Sequence, residues 1–383
     1  MSTDYDLIVC GVGGIGSAAL YAAARAGLRV IGVEQFGYAH DRGSSHGQTR
    51  IIRTAYFEHP DYVPLAQQSW QQWELIQSQC EQPLMRRTGL IQIGPSESSI
   101  IQGVRASADQ HRLPVSHLTA DDIMSRWPVL NVPRDWVGVF EEQAGYLRVE
   151  RCIAHLIALA KKQGAHFAPN QSIISWRVAD DGRIHVRTTA NEFVARRAVF
   201  TAGPWSSDFL NGLGIRLEVV RKQQHWFQID RPDIHEALGM SCFLFDQPAG
   251  GVFYGFPALD SLGVKIAEHS GGQSVGNPSE VDRALDQSDL DRVMEFARAR
   301  FCFSRVRMTH YSVCMYTKSP DEHFIVDRHP RWPQIAFVCG LSGHGFKFAP
   351  VLGQHVVGLL TDAPNPHCHF LGMARLISHA PET

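Results

Sequence analysis

Two glycine turns, far apart in the chain, carry the residues best placed to do chemistry. The first is Gly11-Val12-Gly13-Gly14-Ile15-Gly16, followed about 20 residues on by the acid Glu34. Glycines at 11, 13 and 16 let a turn close tightly and let the backbone approach a pyrophosphate, where a Cβ would block both. A helix N-terminus behind the turn presents free N–H groups to that anion, and Glu34 is placed to accept from a ribose diol. The second turn, Gly340-Leu341-Ser342-Gly343-His344-Gly345, runs into Phe346 and Lys347. A cation at the start of a helix opposes the helix dipole, so Lys347 answers to an anion. Between them Gly43-Ser44-Ser45-His46-Gly47 leads into Arg50 and Arg53. Small residues beside two arginines suit a backbone passing close to a ligand, and they equally describe a solvated basic loop. Taken singly, Cys314 reads as a buried small hydrophobe. Lys265, between Val264 and Ile266, reads as a snorkelling lysine on a half-buried strand.

These residues need elements to hold them. Residues 7–10 read as a strand, the glycine turn opens an alanine-rich helix to Ala26, and 28–33 is a second strand ending on Glu34. Strand, turn, helix and terminal acid in register make a dinucleotide fold. Residues 61–79 form a helix, 89–94 a strand, and Thr119 with Asp122 a capping box for a short helix to Trp127. Residues 148–164 form an amphipathic helix stopped by Gly164. A meander follows (173–179, 183–188, 192–195), then a separate buried strand over 198–202. From about 216 to 316 the pattern is aromatic-rich strands with one helix over 289–301, capped by Ser288. A buried strand over 335–339, the second glycine turn and a helix from about 348 to 360 repeat the physics of the first unit. The last 20 or so residues read as a tail.

Length of 383 residues allows two or three domains, and 36 Lys+Arg against 38 Asp+Glu gives a net charge of −2. That balance points to a small-molecule partner instead of nucleic acid or membrane. The 8 cysteines are scattered singly, which suits a reducing cytosol. Residues 7–24 carry no charge but contain four glycines and no positive n-region, so the dinucleotide turn explains them better than a membrane span. The C-terminal Ala380-Pro381-Glu382-Thr383 is not a peroxisomal address. His367-Cys368-His369 lacks further ligands nearby, and no metal is expected. Gly340-Leu341-Ser342-Gly343-His344 fails as a nucleophile elbow because His344 stands where glycine is needed. The arginines at 42, 50 and 53 lack the wider basic face of a nucleic-acid binder.

With Ser45-His46-Gly47, Arg50, Arg53, Cys314-Met315-Tyr316-Thr317 and Ser342-Gly343-His344-Gly345-Phe346-Lys347 assembled, the chain resembles the monomeric sarcosine oxidase and N-methyl-L-tryptophan oxidase family of FAD-dependent amine oxidases. The likeness runs from about Tyr5 to Leu360. It implies an α/β fold: a Rossmann-like FAD domain (1–80, 145–215 and 320–383) and an α+β substrate domain with a large mixed sheet (81–144 and 216–319). It also implies roles. Gly11, Gly13, Gly16 and Glu34 hold the ADP half of FAD, while Ser44, Arg50 and the loop Gly343, His344, Gly345, Phe346 lie near the isoalloxazine. Cys314 matches the cysteine joined to the flavin 8α-methyl. Arg53 and Lys347 match a carboxylate clamp, although Lys347 could instead face the flavin's N1–C2=O edge. Tyr254, His269 and Tyr316 match the substrate cavity, and Lys265 the lysine that activates oxygen.

The activity so implied is oxidative demethylation of a secondary α-amino acid with O2, giving the amino acid, formaldehyde and H2O2, by a cytoplasmic monomer. The stretches 89–95 and 129–148 look more like the N-methyltryptophan members. Cys314-Met315-Tyr316-Thr317 with His323 looks more like the sarcosine members. Other readings are an oxidase of cyclic imino acids such as proline or pipecolate, a flavin dehydrogenase with a non-oxygen acceptor, and a non-catalytic dinucleotide sensor.

Overall fold

The run Leu7-Ile8-Val9-Cys10 is apolar at every position, so neither of its faces can meet water. In the computed structural model, which describes residues 4–377 apart from 211 and 249, this run belongs to the strand Asp4–Cys10 inside an eight-stranded sheet. Parallel strands flank it, Val30–Val33 on one edge and Glu192–Phe200 on the other. The helix Gly14–Arg25 packs against Val149–Lys162 and Ala349–Leu360. The helices behind the two glycine turns therefore touch. A Cβ on Gly353 would lie 2.7 Å from the Ala18 backbone, so that glycine permits the close approach.

The two strands expected over 192–195 and 198–202 are one. Asp4–Cys10 lies along one edge of Glu192–Phe200, and its other edge changes partner midway. There 192–195 pairs antiparallel with Ile184–Thr188, and 198–200 pairs parallel with Ile335–Cys339. Arg196 and Arg197 at the changeover make a single strand look like two in the sequence.

A second, nine-stranded mixed sheet holds Val306–Lys318 and the short Gln273–Ser274, both on Glu218–Ile229, then Val264–Glu268, Gly251–Phe256, Cys242–Gln247, Leu90–Pro95, Trp136–Glu141 and Val115–Thr119. All neighbours are antiparallel except Cys242–Gln247 with Leu90–Pro95. A small third sheet pairs Thr49–Ile52 and Met85–Arg87 with Gly145–Arg148. The capping box of Thr119 and Asp122 is formed and opens the helix Ala120–Arg126.

Two further expectations are corrected, and one stretch left unassigned is helical. The helix Gln287–Arg300 is capped by Asp286, whose carboxylate accepts from Ser288 N and Asp289 N, so Ser288 lies inside the first turn. A helix, Ser99–His111, occupies a stretch with no sequence assignment; Ser98 caps it, and Ile100, Ile101 and Val104 are its buried face. The expected tail is largely packed: Cys368, Leu371 and Met373 are buried, and Arg375 pairs with Asp321 at 2.7 Å. Residues 380–383 lie outside the described residues. Among the described residues no helix is long and apolar enough to cross a membrane.

Candidate active site

The two glycine turns meet on one cavity of about 410 Å³, lined by Gly11, Gly13 and Glu34 from the first and by Gly343, Gly345 and Phe346 from the second. The glycines of the first turn do different things. Gly11 has φ +91°, and a Cβ on it would crowd Thr201 O at 2.7 Å; a Cβ on Gly16 would overlap the Gly11 carbonyl. Those two close the turn, and Gly16 itself does not line the cavity. Gly13 does, and nothing lies within 4 Å of where its Cβ would be. Glu34 accepts from Val12 N at 2.8 Å and Phe36 N at 3.0 Å, which fixes its carboxylate at the wall.

The lining fits FAD on its own chemistry. One end offers the open glycine and helix N-terminus for a pyrophosphate, beside an acid for a ribose. Towards the other end, Thr317 lines the cavity with a buried hydroxyl that has no partner among the described residues. An unpaired buried hydroxyl is costly, and a heteroaromatic ring edge would satisfy it. Gly11, Gly13, Glu34, Ser44, Arg50, Thr317, Gly343, Gly345 and Phe346 would hold the group.

Cys314 lies on Val306–Lys318 just behind this wall. Its Sγ is 3.4 Å from Ser44 O, and Arg50 donates to it from Nη2 at 3.4 Å; both Ser44 and Arg50 line the cavity. Arg50 is further held by Ser44 O at 2.9 Å and Thr49 O at 2.8 Å.

A smaller cavity, about 60 Å³, shares Arg50, Tyr316, Gly343 and Phe346 with the first. Arg53, Lys347, Tyr254, His269 and His344 also line it. The structure thus gathers the expected clamp and the expected wall from five separate elements. Lys347 comes from the short 3-10 turn Phe346–Phe348, and its carbonyl is anchored by Ser69 Oγ at 2.5 Å and Trp73 Nε1 at 2.9 Å from the helix Tyr62–Gln77. The loop carrying Arg53 is held by buried Glu141, which accepts from Thr54 N and Ala55 N at 2.7 and 3.0 Å. Helix Ser99–His111 braces the same loop through Ser107 Oγ, which donates to Tyr56 O.

Arg53 is not a free cation. Its Nη2 meets both oxygens of Glu58 at 2.7 Å, and its guanidinium lies against Tyr56 and Phe57 at 4.1 and 4.4 Å. Burial alone would raise the Glu58 carboxyl, but Arg53 beside it brings it down to about 2. Lys347 donates to His344 O at 2.7 Å and to Tyr56 Oη at 3.4 Å, leaving one N–H with no acceptor among the described residues. Burial, reinforced by Arg53, lowers its ammonium to about 7. His344 Nε2 lies 3.1 Å from Glu322 O and must donate to it, so Nδ1, 2.5 Å from Tyr56 Oη, accepts. Burial holds His344 down at about 3 and His269 at about 4, so both are neutral near pH 7. His344 faces the smaller cavity instead of the larger one.

Lys265, 1% exposed, lines neither cavity. It donates to Gly47 O at 2.6 Å and Thr49 O at 3.1 Å, between the rings of Trp226 and Phe256. Burial lowers its ammonium well below the usual range.

Sequence reasoning missed Glu58, Tyr56 and Thr317. The acid five residues after Arg53 was the only available signal for the first. Tyr56 carried none, and Thr317 stood only within Cys314-Met315-Tyr316-Thr317 without a role of its own.

Residues 6–359 match the family model described as FAD dependent oxidoreductase. The chain is 35% identical to the monomeric sarcosine oxidase of Streptomyces avermitilis, with all of both chains covered. It is 39% identical to the N-methyl-L-tryptophan oxidase of Escherichia coli K12, covering 91% of this chain and 93% of that one. Among solved structures, NikD, an unusual amino acid oxidase, superposes with a TM-score of 0.84 at 22% identity, covering 97% and 98%. L-proline dehydrogenase from P. horikoshii superposes at 0.83 and 16% identity, covering 99% of each; both likenesses speak for the fold. Relatives of matching length thus align with the chain from end to end, and the chain belongs to the FAD dependent oxidoreductase family, in its monomeric sarcosine oxidase and N-methyl-L-tryptophan oxidase group.

Proposed function

We propose that the protein is an FAD-dependent oxidase of N-methyl α-amino acids, releasing the amino acid, formaldehyde and H2O2 at the expense of O2. The observation that carries this reading is a pair of buried cations, Arg53 and Lys347, on a small cavity that shares a wall with the larger one. Bound FAD supplies the two-electron acceptor for the C–H bond of the N-methyl group. The chain's part is binding and orientation. Lys347, with an unused N–H, and Arg53 take the carboxylate by charge-assisted hydrogen bonds. Burial, with Lys347 close by, disfavours the ammonium form of the substrate amine, so the amine is held as the free base without a dedicated general base. Neutral His269, with Tyr254 and Tyr316, forms the wall against which the amine sits.

Size favours the smallest substrates. A water-sized group needs roughly 10–15 Å³, so about 60 Å³ suits a molecule like sarcosine and not an indole side chain. The same reading includes a thioether from Cys314 to FAD, with Arg50 Nη2 held 3.4 Å from the sulfur. It assigns Lys265 the O2 step, as a buried amine fixed beneath the Gly47–Thr49 backbone. Eight unpaired cysteines agree with a cytoplasmic location, and the monomeric state rests on the relatives' name.

Anaerobic mixing with sarcosine tests the function: the expected result is bleaching of the yellow protein, faster than with N-methyltryptophan. No bleaching by either compound refutes it. Colour that stays in the acid-precipitated pellet tests the tether, and a colourless pellet refutes it.

A further inference from the structure

A third buried ammonium, unassigned by any of the roles above, stands near the substrate wall. Lys222 lies on Glu218–Ile229 with 5% exposure, directly opposite Cys314 in register. Residues paired in this way project from the same sheet face. Its Nζ donates to Ser270 O and, at 3.3 Å, to Gly271 O, and sits 5.8 Å from the centre of the Tyr316 ring. Its stem packs so closely on the same loop that a Cβ on Gly272 would lie 3.0 Å from Lys222 Cδ. No carboxylate of the described residues lies within ion-pair distance, and Lys222 lines neither cavity.

A buried ammonium without a carboxylate is expensive to keep, and an apolar side chain of the same length would pack more favourably. What it holds is therefore informative. The carbonyls of Ser270 and Gly271 directly follow His269, whose N donates to Val252 O at 2.7 Å and whose Nδ1 is 3.4 Å from Tyr316 Oη. From the other side Ser270 Oγ donates to Glu268 Oε1 at 3.0 Å, and Glu268 is held by Arg292 at 3.0 Å. Gly343 touches Tyr316 so closely that a Cβ would overlap its ring.

We propose that Lys222 is a positioning residue for the substrate wall: by holding the Ser270 and Gly271 carbonyls and lying against Tyr316, it sets where His269 and Tyr316 meet the bound amine. This rests on the oxidase reading above. Lys222 touches neither substrate nor cofactor, so its loss changes how well substrate is placed more than it changes the chemistry.

The test compares wild-type, Lys222→Met and Lys222→Arg holoenzymes. Acetate binding is followed by calorimetry, and sarcosine turnover by oxygen uptake. Loss of the charged contacts predicts sarcosine KM about tenfold higher in the Met variant, with kcat within about twofold, while acetate, which has no amine to meet the wall, keeps its Kd within about twofold. The Arg variant, which can still donate to both carbonyls, recovers most of the difference, and the Met variant melts no lower than wild type. Should Lys222→Met not accumulate as yellow protein, Lys222→Gln carries the same comparison. An unchanged KM overturns the proposal, as does an acetate Kd that rises with it, a fall in kcat alone or an Arg variant that behaves like Met. A wild-type protein indifferent to both acetate and sarcosine sinks the oxidase reading and this proposal together. A responsive wild type with an indistinguishable Met variant sinks only the role of Lys222.

Discussion

Replacing Lys347 by Met separates what the site needs from what the fold prefers. In the folded chain burial, with Arg53 adding to it, brings the Lys347 ammonium from 10.5 down to about 7, while the unfolded chain keeps the ordinary value. At about 1.4 kcal/mol per unit, that difference costs the native state of the order of 4 kcal/mol at pH 7. Methionine removes the cost and forfeits the hydrogen bonds to His344 O and Tyr56 Oη, worth about 1.5–3 kcal/mol. The variant should therefore be more stable at pH 7, by roughly 1–3 kcal/mol. Between about 7 and 10.5 the unfolded wild-type chain holds a proton that the folded chain lacks. Wild-type stability accordingly rises with pH across that window, and the variant's advantage shrinks and disappears at its upper end. Binding moves the other way. Acetate should bind the variant about 10–100-fold more weakly at pH 6, and only the wild type should lose affinity as pH rises through about 7. Urea unfolding and acetate titration of both holoenzymes from pH 6 to about 10 measure the two effects. A variant less stable than wild type at pH 7, or wild-type stability flat across the window, refutes the reasoning.

Glu58→Gln should lose the stability that the low Glu58 carboxyl contributes above the unfolded value of 4.5 and that wild type loses as pH falls towards about 2. With the counter-charge gone, acetate should bind more tightly at pH 7, roughly tenfold; weaker binding would show that Glu58 orients Arg53 more than it neutralises it. Lys265→Met should leave anaerobic reduction by sarcosine within about twofold and slow reoxidation by O2 at least 100-fold, and stopped-flow oxidation at the native rate removes its role. Gly16→Ala should destabilise the chain by about 1–3 kcal/mol, because its Cβ overlaps the Gly11 carbonyl. Gly13→Ala, facing open space, should fold normally and hold FAD more weakly; denaturant midpoints and flavin release separate the two, and equal midpoints refute the assignment.

Much of this site was legible because local chemistry announces itself. A glycine turn between strand and helix has one economical use, and Glu34 at the end of the next strand confirms the register. Lys347 stood out because a cation at a helix start needs an anion. Other parts were illegible for equally physical reasons. The break at Arg196 and Arg197 hid one strand because one of its partners, 184–188, is its neighbour in sequence while the other, 335–339, lies far along the chain. Helix Ser99–His111 escaped notice because only a few of its positions are apolar, and those are paid attention only once the 54–58 loop lies across them.

From sequence alone followed the dinucleotide-type fold, which depends on periodicity, glycine placement and side-chain type within short windows, and the family resemblance, which in turn implied Arg53, Tyr254, His269, Tyr316 and Lys347 of the smaller cavity. Only the tertiary structure decided that Arg53 is neutralised by Glu58, that Lys347 keeps one N–H unused, that Lys265 points at backbone, and that Lys222 braces the His269 loop. Those outcomes depend on which distant groups share a low-dielectric interior, where a carbonyl or carboxylate a few ångströms away outweighs anything a side chain's neighbours in sequence can dictate.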